Sequence, residues 1–175
     1  MYKYIVRKKY FYTYPTPKMR VYIAAPIVGL SEKVAEKVNN VKAILNNLES
    51  AWEVIVHDPS KQKVPNARGM SMQEWARCIF TLDVVAINSA DWIVVCDFGR
   101  DGTAWTAREC GYAFAKNKDV LIIHMYDNEC DYSLMMRGCS ANYCKYSDFI
   151  STPVNEVVKK FFYQRWRVET DDILH

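Results

Sequence analysis

Short, almost uniformly apolar runs alternate with longer stretches of helical period along this chain. "RVYIAAP" (20–26), "EVIVH" (53–57), "DWIVVCD" (91–97) and "DVLIIHMY" (119–126) are the apolar runs, and a last short strand is predicted near 143–146. Between them, 31–50 repeats Val34, Val38, Val41, Leu45 and Leu48 on one helical stripe, with Ser31 placed to cap it and Glu32 in its first turn. Residues 71–90 predict a second helix, and "DGTAWTARECGYAFA" (101–115) a third. Pro153 starts another, whose apolar face is Val154, Val157, Val158, Phe161 and Phe162. Strands apolar along their whole length belong to a parallel sheet covered on both faces, so the pattern predicts one doubly wound α/β domain. In such a fold ligands sit outside the carboxyl ends of the strands. The segments that matter are therefore 26–31, 57–70, 97–105 and 126–140, the last read as mostly loop.

The 175 residues suffice for one domain with a real core. The expected organisation is a basic, aromatic extension over 1–19, a domain over 20–165 and a tail over 166–175. Pro15 and Pro17 separate the extension from the first strand. The extension reads as a mobile or edge-strand segment, not as a nucleic-acid or membrane contact. No apolar h-region follows its charges and no run is long enough to span a bilayer, so a cytoplasmic protein with reduced cysteines is expected. Six cysteines without a CxxC pair and three scattered histidines argue against a zinc site.

Two carboxylates stand out. On a helical wheel of 72–90, Met72, Trp75, Ala76, Ile79, Ala86, Ile87 and Ala90 form an apolar arc, and Asp83 projects from its middle. An isolated buried carboxylate is expensive. Asp83 is then either a structural group bound to backbone N–H or a basic partner, or a carboxyl at a pocket edge that holds a proton at neutral pH. Glu109 fits a capping box with Thr106 as N-cap, and it equally fits an ionised carboxylate stabilised by a helix N-terminus in a cleft. Gly102 lets backbone approach a ligand there, although neither a P-loop nor a GxGxxG is present.

Four separated segments together resemble the nucleoside 2-deoxyribosyltransferase family. They are "VYIAAP", "EWARCIFTLDVVAINSAD" (74–91), "DGTAWTARECGYAFAKNKDV" and "SLMMRG" (133–138). The resemblance implies a flavodoxin-like domain with a five-stranded, mainly parallel sheet. It implies Glu109 as nucleophile, Asp83 as general acid and Tyr22 as the group orienting Glu109. Substrate contacts would come from Asp101, Gly102, Asp58, Ser133, Met135 and Arg137. The segment 133–138 resembles a loop lent to a neighbouring subunit, which implies a homodimer or larger homo-oligomer with shared sites. The chain departs from the family in "TAR" (106–108), which separates Glu109 from Trp105. It departs again at Ser133, where the transferases carry Asn. "SLMMRG" is closer to a related branch, the 2'-deoxynucleoside 5'-monophosphate N-glycosidases, whose serine holds a phosphate.

The expected reaction is cleavage of the N-glycosidic bond of a 2'-deoxynucleoside through a deoxyribosyl-glutamate, with transfer of the sugar to another nucleobase. The alternatives are hydrolysis of a 5'-monophosphate and a non-catalytic nucleotide sensor. Neither hydride nor phosphoryl transfer occurs, so no cofactor is called for. The partners expected are small nucleosides, nucleotides and nucleobases, with neither a membrane nor a stable nucleic-acid complex.

Overall fold

The computed structural model describes residues 18–27, 30–52, 54–99, 104–126 and 133–162. The elements run β1 (Arg20–Ala24), α1 (Glu32–Trp52), β2 (Ile55–His57), α2 (Met72–Ser89), β3 (Trp92–Asp97), α3 (Ala104–Ala115), β4 (Asp119–His124), α4 (Leu134–Gly138), β5 (Asn142–Lys145), α5 (Tyr146–Ser151) and α6 (Val154–Val157). The last helix winds on as a π-helical turn, Val158–Phe162. The strands form one five-stranded sheet in the order β2-β1-β3-β4-β5, with every pair parallel. This is the flavodoxin-like order, and its switch point lies between β1 and β3.

Alternate side chains along each strand feed two cores. Val21, Ile23, Val94, Cys96, Leu121 and Ile123 meet Val38, Val41, Leu45 and Leu48 of α1 together with Val157 and Phe161. Tyr22, Ala24, Ile93, Val95, Val120 and Ile122 meet Ala86, Ile87, Cys110 and Ala113 of α2 and α3. Burying such side chains stabilises the fold by about 1.5–3 kcal/mol each, which accounts for the lack of polar positions in the strands. The Ser31 hydroxyl accepts the Val34 N–H at 3.4 Å, as expected of the cap of α1.

Three expectations need correction. The stretch 134–138 is a short helix, not loop, because the Ser133 hydroxyl accepts the Met136 N–H and starts a turn. Thr106 does not cap α3. It is buried inside a helix that already includes Ala104. The apolar arc of α2 is buried only in its second half, at Ala86, Ile87 and the following Ala90, with Asp83 beside them. Met72 and Trp75 are 79 % and 42 % exposed. Among the described residues, no helix is long and apolar enough to cross a membrane.

Candidate active site

α2 and α3 lie on the same face of the sheet, over β1 and β3, and a cavity of about 250 Å³ opens between them. Its lining includes Phe80, Asp83 and Ile87 from α2, and Trp105, Arg108 and Glu109 from α3. Two carboxyl groups 26 residues apart in sequence thus face one space. Both are buried, Asp83 at 4 % exposure and Glu109 at 8 %. Beneath them the fully buried Tyr22 of β1 donates its hydroxyl hydrogen to Glu109 Oε1 at 2.5 Å. Its ring stacks on His57 at the end of β2, with centroids 5.5 Å apart and planes 10° from parallel.

The electrostatics follow from this burial. Removal from water pushes Glu109 up to about 7, and the nearby Asp83 pushes the same way. Hydrogen bonding from Tyr22 and Trp105 works against that rise without cancelling it. The expected stabilisation of an ionised Glu109 by a helix N-terminus is therefore overturned, because Glu109 sits more than a turn inside α3, where desolvation wins. Burial also raises Asp83 above the usual carboxylate range, against hydrogen bonds from Tyr22, Trp105 and Gln62. Asp83 Oδ1 is buried without a hydrogen-bond partner among the described residues. Tyr22 itself is driven far above the ordinary phenol range, first by burial and then by Glu109, so it acts only as a donor. Two neighbouring carboxyls that both resist ionising favour a state in which one is charged and the other holds a proton.

This fold and this acid pair can be compared with known proteins. Residues 21–147 match the family model described as nucleoside 2-deoxyribosyltransferase. The chain belongs to the nucleoside 2-deoxyribosyltransferase family. The family takes its name from transfer of the 2-deoxyribosyl group of nucleosides. Among solved structures it is similar to the 2-deoxyribosyltransferase of Bacillus psychrosaccharolyticus. The identity is 22 % and the TM-score 0.60, over 77 % of this chain and 92 % of that one. A conserved protein from Enterococcus faecalis aligns at 14 % identity and TM-score 0.62, covering 77 % and 96 % of the two chains. The CMP N-glycosidase of Clostridium botulinum aligns at 19 % identity and TM-score 0.51, covering 75 % and 94 %. No curated protein sequence matches.

In this family member, the other residues singled out in the sequence fall away from the cavity. Asp58 caps the 3-10 turn Pro59–Lys61. Its Oδ1 accepts the Ser60 N–H at 3.0 Å and the Ser60 hydroxyl at 2.7 Å, and it pairs with Lys42 at 2.9 Å. Ser133 caps α4, Met135 is 79 % exposed, and the Arg137 guanidinium lies 4.6 Å from the centroid of the Tyr143 ring. None of these four lines the cavity. Asp101 and Gly102 lie outside the described residues.

The sequence reading missed Trp105, Arg108, His57 and Gln62. Trp105 precedes and Arg108 closes the family departure at 106–108, and both line the cavity with Asp83 and Glu109. Gln62 Nε2 lies 2.6 Å from His57 Nε2. The signal for Trp105 was its i−4 spacing from Glu109, which puts both on one helix face; Arg108 at i−1 carried none. Nothing in the sequence singled out Gln62, a polar residue in a polar loop.

Proposed function

We propose that the protein cleaves 2'-deoxynucleosides through a covalent deoxyribosyl-Glu109 and passes the sugar to another nucleobase. The observation that carries this reading is the convergence of Asp83 and Glu109 on one cavity, with the Tyr22 hydroxyl on Glu109 Oε1. As the bond between base nitrogen and C1' breaks, positive charge grows on the sugar. Ionised Glu109 attacks C1' from one face and forms an ester. Protonated Asp83 gives its proton to the departing base, which leaves neutral. The incoming base then attacks C1', expels the glutamate and returns its proton to Asp83. Tyr22 positions Glu109 through one short hydrogen bond and gives it up partly as the carboxylate oxygen becomes an ester oxygen.

A cavity of about 250 Å³ falls below the ~300–1,000 Å³ of pockets that enclose a ligand, so a nucleoside fills it only when a second surface closes it. Phe80 and Val85 of α2, Phe114 of α3 and Leu134 and Met135 of α4 are all more than half exposed, which supports a second copy of this chain as that surface. Sedimentation of the purified protein tests this, with a dimer or larger species expected.

A second reading, hydrolysis of 2'-deoxynucleoside 5'-monophosphates, is favoured by Arg108, which borders the same cavity and carries a group suited to a phosphate. Incubation with deoxyinosine plus free cytosine, and separately with each deoxynucleoside monophosphate, separates the two. New deoxycytidine supports transfer, and free base plus deoxyribose phosphate supports hydrolysis. Intact mass after quenching with a 2'-fluoro-2'-deoxynucleoside tests the shared first step. A sugar adduct on Glu109 is expected, and a protein that turns over without one would overturn the covalent route.

A further inference from the structure

Gln62 is held by its amide nitrogen and left bare at its oxygen. Nε2 lies 2.6 Å from His57 Nε2, and hydrogen bonding from Gln62 also favours the ionised form of Asp83. Oε1 is buried and has no partner among the described residues. An amide nitrogen donates and does not accept, so the His57 nitrogen facing it must be the unprotonated one, with the ring proton on Nδ1. The stack on Tyr22 fixes the plane of the imidazole. Gln62 therefore keeps its oxygen turned away from His57 as long as the ring proton stays on Nδ1. A buried carbonyl without a donor costs about 1–3 kcal/mol, which a ligand N–H would relieve.

We infer that His57 is a positioning residue that sets the polarity of the Gln62 amide, and through it the kind of nucleobase edge the site accepts. The inference rests on the proposed deoxynucleoside chemistry. Asp83 delivers its proton to a base nitrogen, and Gln62 hydrogen-bonds to Asp83, which places the Gln62 amide on the side of the acid that faces the base. With His57 neutral and its proton on Nδ1, Gln62 offers a carbonyl and favours bases that present an amino group, as cytosine and adenine do. With His57 protonated, both ring nitrogens donate. The amide then turns over, its oxygen accepts from His57, and its NH₂ faces a base that presents an oxo group, as uracil and hypoxanthine do.

The groups facing His57 are Tyr22 from β1, Asp83 from α2, Asp58 beside it in sequence, and Gln62. Lys42 from α1 is paired with Asp58. Burial, the largest influence, lowers the basicity of His57, while Asp83 and Asp58 raise it. The change of preference therefore falls on the acid side of neutrality.

Two measurements test this. The first is kcat/KM for deoxycytidine against deoxyuridine, and deoxyadenosine against deoxyinosine, at pH 8 and pH 5.5. His57→Phe reports what titration of the carboxyl pair alone does to each ratio. The amino-to-oxo ratio is expected to fall about tenfold on acidification in the native protein. It should change much less with pH in His57→Phe, which keeps a ring on Tyr22 but offers no nitrogen. The second measurement needs neither turnover nor a variant. Long-range ¹H–¹⁵N correlation of the assigned His57 ring should show a bare Nε2 at pH 8 and uptake of a proton there on acidification. A proton on Nε2 at pH 8, or a ratio unchanged by both pH and His57→Phe, overturns the inference. If no deoxynucleoside is cleaved at any pH, the proposed reaction fails, and the ring spectrum still decides whether His57 holds Gln62.

Discussion

Asp58 and Asp83 are buried alike, at 9 % and 4 % exposure, yet their surroundings are opposite. Asp58 meets two donors from Ser60 and the ammonium of Lys42. Burial pushes its pKa up, but these partners together outweigh burial and hold it below the usual carboxylate range. Asp83 shares its donors with a second acid, keeps one oxygen bare and is held above that range. The two carboxylates are equally hidden from water, but one is saturated and serves the fold, while the other is under-satisfied and suits chemistry. Burial alone does not mark a site; unmet hydrogen-bonding capacity beside a cavity does.

The comparison can be broken most decisively at Glu109. Glu109→Ala should lower kcat by roughly ten-thousand-fold or more and abolish the sugar adduct seen by mass spectrometry, as expected of a lost nucleophile. Retention of an adduct in that variant would place the covalent bond on another group. Asp83→Asn keeps the shape but cannot donate a proton. A fall in kcat of about a hundred- to ten-thousand-fold is expected for natural substrates. The loss should shrink for a deoxynucleoside whose leaving group needs no proton, and an equal loss on both would remove Asp83 from the acid role.

Much of the fold was legible because strand and helix periods are set by the chain itself. The runs at 91–97 and 119–124 are apolar throughout because both sheet faces are covered, and the stripe from Val38 to Leu48 meets one of those faces. Asp83 was legible as an apolar-face anomaly. Glu109 was less so, since its spacing from Thr106 imitates a cap that the longer α3 rules out. Asp58 misled because a carboxylate after a strand looks the same whether it faces a ligand or its own turn. Gln62 and His57 were silent, because their pairing depends on how the 57–70 segment folds back and not on any local pattern. The exposure of the front half of α2 was silent for the same reason, since a helical wheel shows an apolar face but not what that face packs against.

The two acidic corners also differ in the sign of their pH dependence. Asp58 is held low, so its contribution is present above its unfolded pKa and is lost as pH falls through its folded one. Asp58→Ala should cost about 1–2 kcal/mol at pH 7 by denaturant titration, the loss of a cap and an ion pair, and the cost should shrink in acid. Any loss of activity should be small, since the residue lies off the cavity.

Glu109 behaves in the reverse sense, and this prediction joins stability to function. Its folded pKa of about 7 lies above the 4.5 of an unperturbed glutamate. Below 4.5 both states carry the proton and no penalty exists. Between the two values the unfolded chain ionises while the folded one does not, so stability falls as pH rises. Above 7 the penalty is complete, on the order of 3 kcal/mol by linkage. Glu109→Gln removes the titration and keeps an oxygen to accept from Tyr22. It should therefore raise Tm at pH 8 and change it little at pH 4, while eliminating turnover. A variant stabilised equally at both values would show that packing, and not a buried charge, is what glutamine changes at this position.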